Sequence, residues 1–144
     1  MNVGDIIGSR REIFSIRDDT TVYDAARYLR DHRVRAVGIL DADGRLVGAI
    51  SQSDISDKVA AENKCPAWMR VSEIMTRALV TVAPERTLDE CLREMKTHGI
   101  FHLIVIDAGG KFQGMISVTD LLEIIASDHK ARADLLEAFI FPPR

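Results

Sequence analysis

Sliding the chain along itself by 66 positions sets Thr21 on Thr87, Arg27 on Arg93, His32 on His98 and Asp41 on Asp107. The register continues through Gly44/Gly110, Gly48/Gly114, Ile50/Ile116, Ser51/Ser117 and Asp54/Asp120. Apolar positions follow it too, as in Val22/Leu88, Leu29/Met95, Val34/Ile100 and Ile39/Val105. The leading ends match at a shift of 68 (Val3/Val71, Ile6/Ile74, Ile7/Met75), so the first copy carries about two extra residues near Gly8 to Arg11. A tandem duplication constrains the fold strongly, because each unit can cover the apolar surface that the other leaves open. Residues 1–60 and 71–126 are read as the copies, 61–70 as a linker containing Pro66, and 127–144 as a C-terminal helical tail.

Each copy predicts the order β-α-β-β-α. In the second, Leu79–Val82 is a short strand ended by Pro84, and Thr87 caps a helix running to His98 with the apolar stripe Leu88, Cys91, Leu92 and Met95. His102–Ile106 reads as a strand covered on both faces, Asp107–Gly110 as a hairpin turn, and Phe112–Ser117 as the returning strand. A last helix follows from Val118 to Ser127. The first copy repeats this as Ile13–Ile16, Thr21–His32, Ala36–Leu40, the turn Asp41–Gly44, Leu46–Ser51 and a helix to Glu62. The strand-helix-strand portion calls for parallel strands. The fold class is α/β (α+β): two pseudo-two-fold-related β-α-β-β-α repeats packed sheet to sheet, since a unit of roughly 55 residues is marginal alone.

Composition narrows the function. The 144 residues include 19 Lys and Arg against 22 Asp and Glu, a net charge of −3, whereas a general nucleic-acid or anionic-membrane binder is normally basic. No apolar run approaches the roughly 20 residues of a membrane span, and Met1–Arg11 lacks the apolar core of a secretory signal. Two cysteines, Cys65 and Cys91, are too few for a disulfide framework, and the expected compartment is cytoplasmic. Cys91 lies on a helical apolar stripe as a small hydrophobe, and Cys65 sits exposed in the linker. His98 ends a helix and His102 begins a strand, so their spacing of four does not make a metal site, and no metal is expected. Arg27, Arg30, His32 and Arg33 read as a solvated helix face, with Arg35 kept as a phosphate candidate.

The chemistry concentrates at Gly48-Ala49-Ile50-Ser51-Gln52-Ser53-Asp54 and Gly114-Met115-Ile116-Ser117-Val118-Thr119-Asp120, each at a strand-to-helix junction. The helix start offers N–H groups to an anion, the hydroxyls can bond a nucleotide's polar edge, and the carboxylate can accept both hydroxyls of a ribose. An equally physical alternative is a capping box, in which Ser caps the helix and the acid three residues later suits its dipole.

The two copies, the recurring Gly-x-Ile-Ser-x-Ser/Thr-Asp and the Thr before each first helix resemble a pair of cystathionine-β-synthase-type (CBS) domains, in the manner of small stand-alone CBS-pair proteins. The likeness spans about residues 3–126. It implies a signal sensor without catalysis that binds AMP, ADP, ATP, NAD or S-adenosylmethionine. It also implies two clefts, each taking its hydroxyls and acid from one repeat and an adenine-facing wall from the other. One would join Ser51, Ser53 and Asp54 to Thr76, Val80, Ile100, Phe101 and His102. The other would join Ser117, Thr119 and Asp120 to Ser9, Phe14, Val34, Arg35 and Ala36. Ser53 and Thr119 stand where relatives often carry Arg, so phosphate contacts fall to Arg35, His102, Lys58 or helix ends, and bulky Phe14 narrows the second cleft. The resemblance further implies a homodimer and an unknown effector protein. The tail stripe Ala131, Leu135, Leu136 and Phe139, followed by Ile140 and Phe141, suits a partner surface. The alternative function is a protein-interaction scaffold with non-functional clefts.

Overall fold

The computed structural model describes residues 1–10, 12–125, 134 and 136–138. Of the residues singled out above, Arg11, Ser127, Ala131, Leu135, Phe139, Ile140 and Phe141 lie outside the described ones. The order is α1 (Val3–Gly8), β1 (Ser15–Arg17), α2 (Val22–His32), β2 (Ala36–Leu40), β3 (Leu46–Ser51) and α3 (Gln52–Ile55). A π-helical turn Ser56–Ala60 and 3-10 turns at Pro66–Trp68 and Val71–Glu73 lead to β4 (Thr81–Val82), α4 (Leu88–His98), β5 (His102–Ile106), β6 (Phe112–Ser117) and α5 (Val118–Ile125). The strands form two three-stranded sheets, β1-β2-β3 and β4-β5-β6, with the outer pairs β1/β2 and β4/β5 parallel and the hairpins antiparallel.

Local chemistry explains why both copies fold alike. Thr21 Oγ1 accepts the Asp24 N–H at 3.1 Å and Thr87 Oγ1 accepts the Glu90 N–H at 3.2 Å, so each first helix starts on a threonine cap. Their inward stripes are Val22, Ala25 and Leu29 in one and Leu88, Cys91 and Met95 in the other, all buried. Each hairpin turns on an aspartate whose Oδ1 accepts two backbone N–H groups at 2.9 Å: Asp41 from Asp43 and Arg45, Asp107 from Gly109 and Lys111.

Boundaries differ from the sequence reading at both short leading strands and at one helix end, and β1 also runs one residue past Ile16, to Arg17. β1 starts at Ser15 rather than Ile13, whose side chain is exposed, and β4 starts at Thr81 rather than Leu79, whose side chain is diverted to the seam between the sheets. The last helix of the first copy does not run on to Glu62. α3 gives way to the π-helical turn, where the Ala61 N–H donates to the Ser56 carbonyl at 2.8 Å, an i to i−5 bond.

The cores are exchanged between the copies. Val3 and Ile6 of α1 are buried with Val82, Leu88, Met95, Leu103, Ile116 and Leu121 of the second repeat. Val71, Ile74 and Met75 are buried with Val22, Leu29, Val37, Ile39 and Ile50 of the first. Backbone bonds fix the exchange: the Val3 and Gly4 N–H groups donate to the Arg86 and Pro84 carbonyls at 2.9 and 2.8 Å. Ala49 and Thr76 exchange a reciprocal pair of bonds at 3.0 and 2.8 Å. A third cluster of Ala49, Ile104 and Phe112, flanked by Leu40, Leu46, Leu79 and Met115, is the sheet-to-sheet seam. Gly38 admits the Phe112 ring there, since a Cβ on it would stand 2.7 Å from that ring.

Truncating a buried Ile to Ala costs about 2–5 kcal/mol. Ile6→Ala is therefore expected to destabilise the chain, with amide exchange accelerating more in Leu88–His98 than in Val22–His32. Acceleration confined to the first repeat would contradict the exchange.

Candidate functional site

The Gly48–Asp54 segment carries its acid to the surface through strand geometry. β3 ends at Ser51, and α3 begins at Gln52 with Ser51 as its cap. The Asp54 N–H donates to Ser51 Oγ at 3.2 Å, and Asp54 Oδ2 accepts the Ser51 N–H at 2.9 Å and the Ser51 hydroxyl at 3.1 Å. The capping box is thus real, and it occupies only one carboxylate oxygen. Oδ1 faces the Thr76 hydroxyl at 3.3 Å and the Lys58 ammonium at 3.0 Å. Lys58 Nζ also donates to the Ile74 carbonyl at 2.8 Å, which ties α3 to the exchanged segment.

Asp54 opens into a cleft of about 490 Å³ between the repeats. All eight residues expected there line it: Ser51, Ser53, Asp54, Thr76, Val80, Ile100, Phe101 and His102. Of the apolar lining residues missed at the sequence level, Ala49, Leu79, Ile104 and Met115 form its floor where the two sheets meet. Only the sheet packing brings them in, although three of the four stand in strands recognisable from sequence.

The residues grouped with Asp120 are not brought together in the same way. Arg35 and Ala36 line the Asp54 cleft. The cause is strand register: Ala36 pairs with Ser51, and the Arg35 carbonyl accepts the Gln52 N–H at 2.9 Å. Phe14 packs edge-on against Tyr28 and His32, at ring separations of 6.4 and 5.1 Å, and belongs with Val34 to the rim of the first core. The Ser9 hydroxyl donates to the Ile6 carbonyl at 2.7 Å at the end of α1. Ser117 and Asp120 form the same cap contacts as their counterparts: Oδ2 accepts the Ser117 N–H at 2.8 Å, and the Asp120 N–H donates to Ser117 Oγ at 3.1 Å. Thr119 is exposed beside them. What stands against Asp120 is Arg10, whose Nη2 lies 2.9 Å from Oδ2. A second groove of about 500 Å³, lined by Gly4, Ile7, Arg10, Glu12 and Pro84 among others, runs along α1 and contains none of the expected acids or hydroxyls.

Burial holds the His102 imidazole below its ordinary value, with Asp120 drawing it up and Arg35 pushing it further down. His102 therefore lines one acid's cleft while sensing the other acid. Burial pushes the Cys91 thiol up to about 11, which leaves it an inert core group. Among the described residues no group of three or more His, Cys, Asp or Glu is placed to hold a metal ion, and no helix is long and apolar enough to cross a membrane.

Comparison with known proteins agrees with the two-repeat fold. The family model described as "CBS domain" matches residues 3–61 and again 71–127. A putative signal-transduction protein with CBS domains from Burkholderia ambifaria superimposes with TM-score 0.81 and 31% identity, covering 90% of this chain and 96% of that one. The CBS domain pair of protein MJ0100, solved in complex with 5′-methylthioadenosine and S-adenosyl-L-methionine, superimposes with TM-score 0.78 and 26% identity, covering 88% and 97%. The uncharacterised protein MK0525 of Methanopyrus kandleri is 26% identical over 124 residues, 86% of this chain and 62% of its own length. Across three such curated relatives the chain spans 40–70% of their length.

The depressed His102 gives a pH signature. As pH falls through 6.5, the unfolded chain takes up a proton that the folded imidazole refuses, so stability falls, and the loss levels off below the folded-state value. Melting temperature is expected to drop between pH 7 and 5, and His102→Gln is expected to flatten that drop. An identical pH slope in the variant would contradict the assignment.

Proposed function

The chain belongs to the CBS-domain family, and from that premise we propose that it is a regulatory module whose Asp54 cleft binds an adenosine-containing ligand of the AMP, ADP, ATP, NAD or S-adenosylmethionine type. The observation that carries this reading is that one cleft collects Ser51, Ser53 and Asp54 from one repeat and Thr76, Val80 and Ile100–His102 from the other. The 5′-methylthioadenosine and S-adenosyl-L-methionine in the MJ0100 domain pair support the ligand class.

In this reading Asp54 Oδ1 accepts the two ribose hydroxyls in place of the Thr76 hydroxyl, while Oδ2 stays in the cap. Val80, Ile100 and Ile104 sandwich the base. Backbone groups at Ile100–His102 read its edge, with Phe101 covering the mouth. Arg35 and the start of α3 meet any phosphate. The carboxylate is engaged as an acceptor by hydroxyl and backbone donors and by the Lys58 ammonium, which suits holding a ligand rather than removing a proton from it, and the module performs no catalysis. A ligand spanning both repeats shifts the population toward one inter-repeat arrangement, which an effector protein reads. The same proposal places the module in the cytoplasm as a homodimer.

A ligand present at a hundred times its dissociation constant stabilises the fold by about 2.7 kcal/mol, several degrees of melting temperature. Melting curves with AMP, ATP, NAD and S-adenosylmethionine are expected to show such a shift for at least one compound. Losing hydrogen bonds to a charged acceptor costs about 1.5–3 kcal/mol, so Asp54→Ala is expected to weaken that ligand about ten- to a hundred-fold. The shift is compared within each variant, because the lost cap lowers the starting temperature as well. No shift with any compound favours an interaction scaffold, and an unchanged affinity in Asp54→Ala places the ligand elsewhere.

A further inference from the structure

We propose that Lys58 is the positioning residue of the Asp54 cleft, holding the acid in the orientation that accepts a ribose diol and tying that orientation to the docked leading segment of the second repeat. This role rests on the reading of Asp54 as the ribose-holding acid and adds what aims it.

The Lys58 ammonium makes two contacts at once. It lies 3.0 Å from Asp54 Oδ1 and donates to the Ile74 carbonyl at 2.8 Å. Both ends of this bridge are fixed. Val59, next in the chain, is buried in the first core, and so is the Ile74 side chain, which enters that core from the second repeat. The Asp54 side chain is only 14% exposed, so a fixed cationic partner matters more to it than to an acid at the open surface. Ser51 holds Oδ2 and Lys58 holds Oδ1, which sets the carboxylate plane at both oxygens. Thr76 lines the cleft and Lys58 does not. A ligand hydroxyl can therefore displace the Thr76 hydroxyl while the ammonium stays in place.

The other junction is built differently. At the shift of 66, Lys58 falls on Ile124, an apolar residue packed against the second core. There α5 runs as a regular α-helix from Val118 to Ile125, whereas the first repeat breaks into the π-helical turn Ser56–Ala60 that carries Lys58. Turns of this kind are frequent at functional sites. The lysine, the widened turn and the cleft that gathers residues of both repeats thus occur together at Asp54.

Calorimetric titration of the whole chain with AMP and with 2′,3′-dideoxy-AMP separates aiming of the acid from general support of the cleft. The unmodified protein is expected to bind AMP more tightly than the dideoxy analogue. Lys58→Met keeps the unbranched stem and Lys58→Gln keeps a neutral donor. Each is expected to weaken AMP about three- to ten-fold, within the usual range for coupled side chains in contact, and to leave the dideoxy analogue unchanged. Added to Asp54→Ala, either substitution is expected to change neither affinity. Equal losses for both ligands, no loss, or tighter AMP binding in the Lys58 variants overturns the positioning role and leaves the Asp54 reading standing. An unmodified protein that binds the two ligands equally, or neither, overturns the Asp54 reading and the role that rests on it.

Discussion

Val3 and Ile6 are buried among the side chains of the second repeat, while Val71, Ile74 and Met75 are buried among those of the first, so each repeat completes its core with its neighbour's leading segment. This exchange is the constraint on which the rest depends. A unit of roughly 55 residues buries too little apolar surface to be robust alone. By exchanging segments the two units become one cooperative body. The same crossing chains then form the cleft: Thr76 reaches Asp54 because Ile74 and Met75 are already fixed in the first core, and Arg10 reaches Asp120 because α1 is fixed in the second.

The acids illustrate how a structural and a functional role share one side chain. Each of the two junctions uses its serine and aspartate to cap the following helix. The cap holds the carboxylate at one oxygen and thereby aims the other, at little entropic cost to a later ligand. Difference between the copies arises one step further out, in what the exchanged segment sets against the acid: a hydroxyl in one case and a guanidinium in the other.

His102 lies where the two halves meet electrostatically. It starts β5 paired with Ser117, lines the Asp54 cleft, and is influenced by both Asp120 and Arg35. Burial acts most strongly on its ionisation, with Asp120 and Arg35 pulling in opposite directions.

Much of this was legible in the residues themselves. The duplication, four of the six strands to the residue, both threonine-capped helices and the eight members of the Asp54 cleft follow from spacing, caps and family likeness, because those signals are local or repeat in register. The short strands β1 and β4 began later than their apolar runs suggest, since Ile13 and Leu79 serve other surfaces than the ladder. Which segment enters which core, the placing of Arg35 and Ala36 beside Ser51, and the meeting of Arg10 with Asp120 across 110 positions were decided only by tertiary structure. Periodicity states that a residue has a buried face or a cap to make. It does not say which of two similar repeats receives that face, and that choice is made by packing between segments distant in the chain.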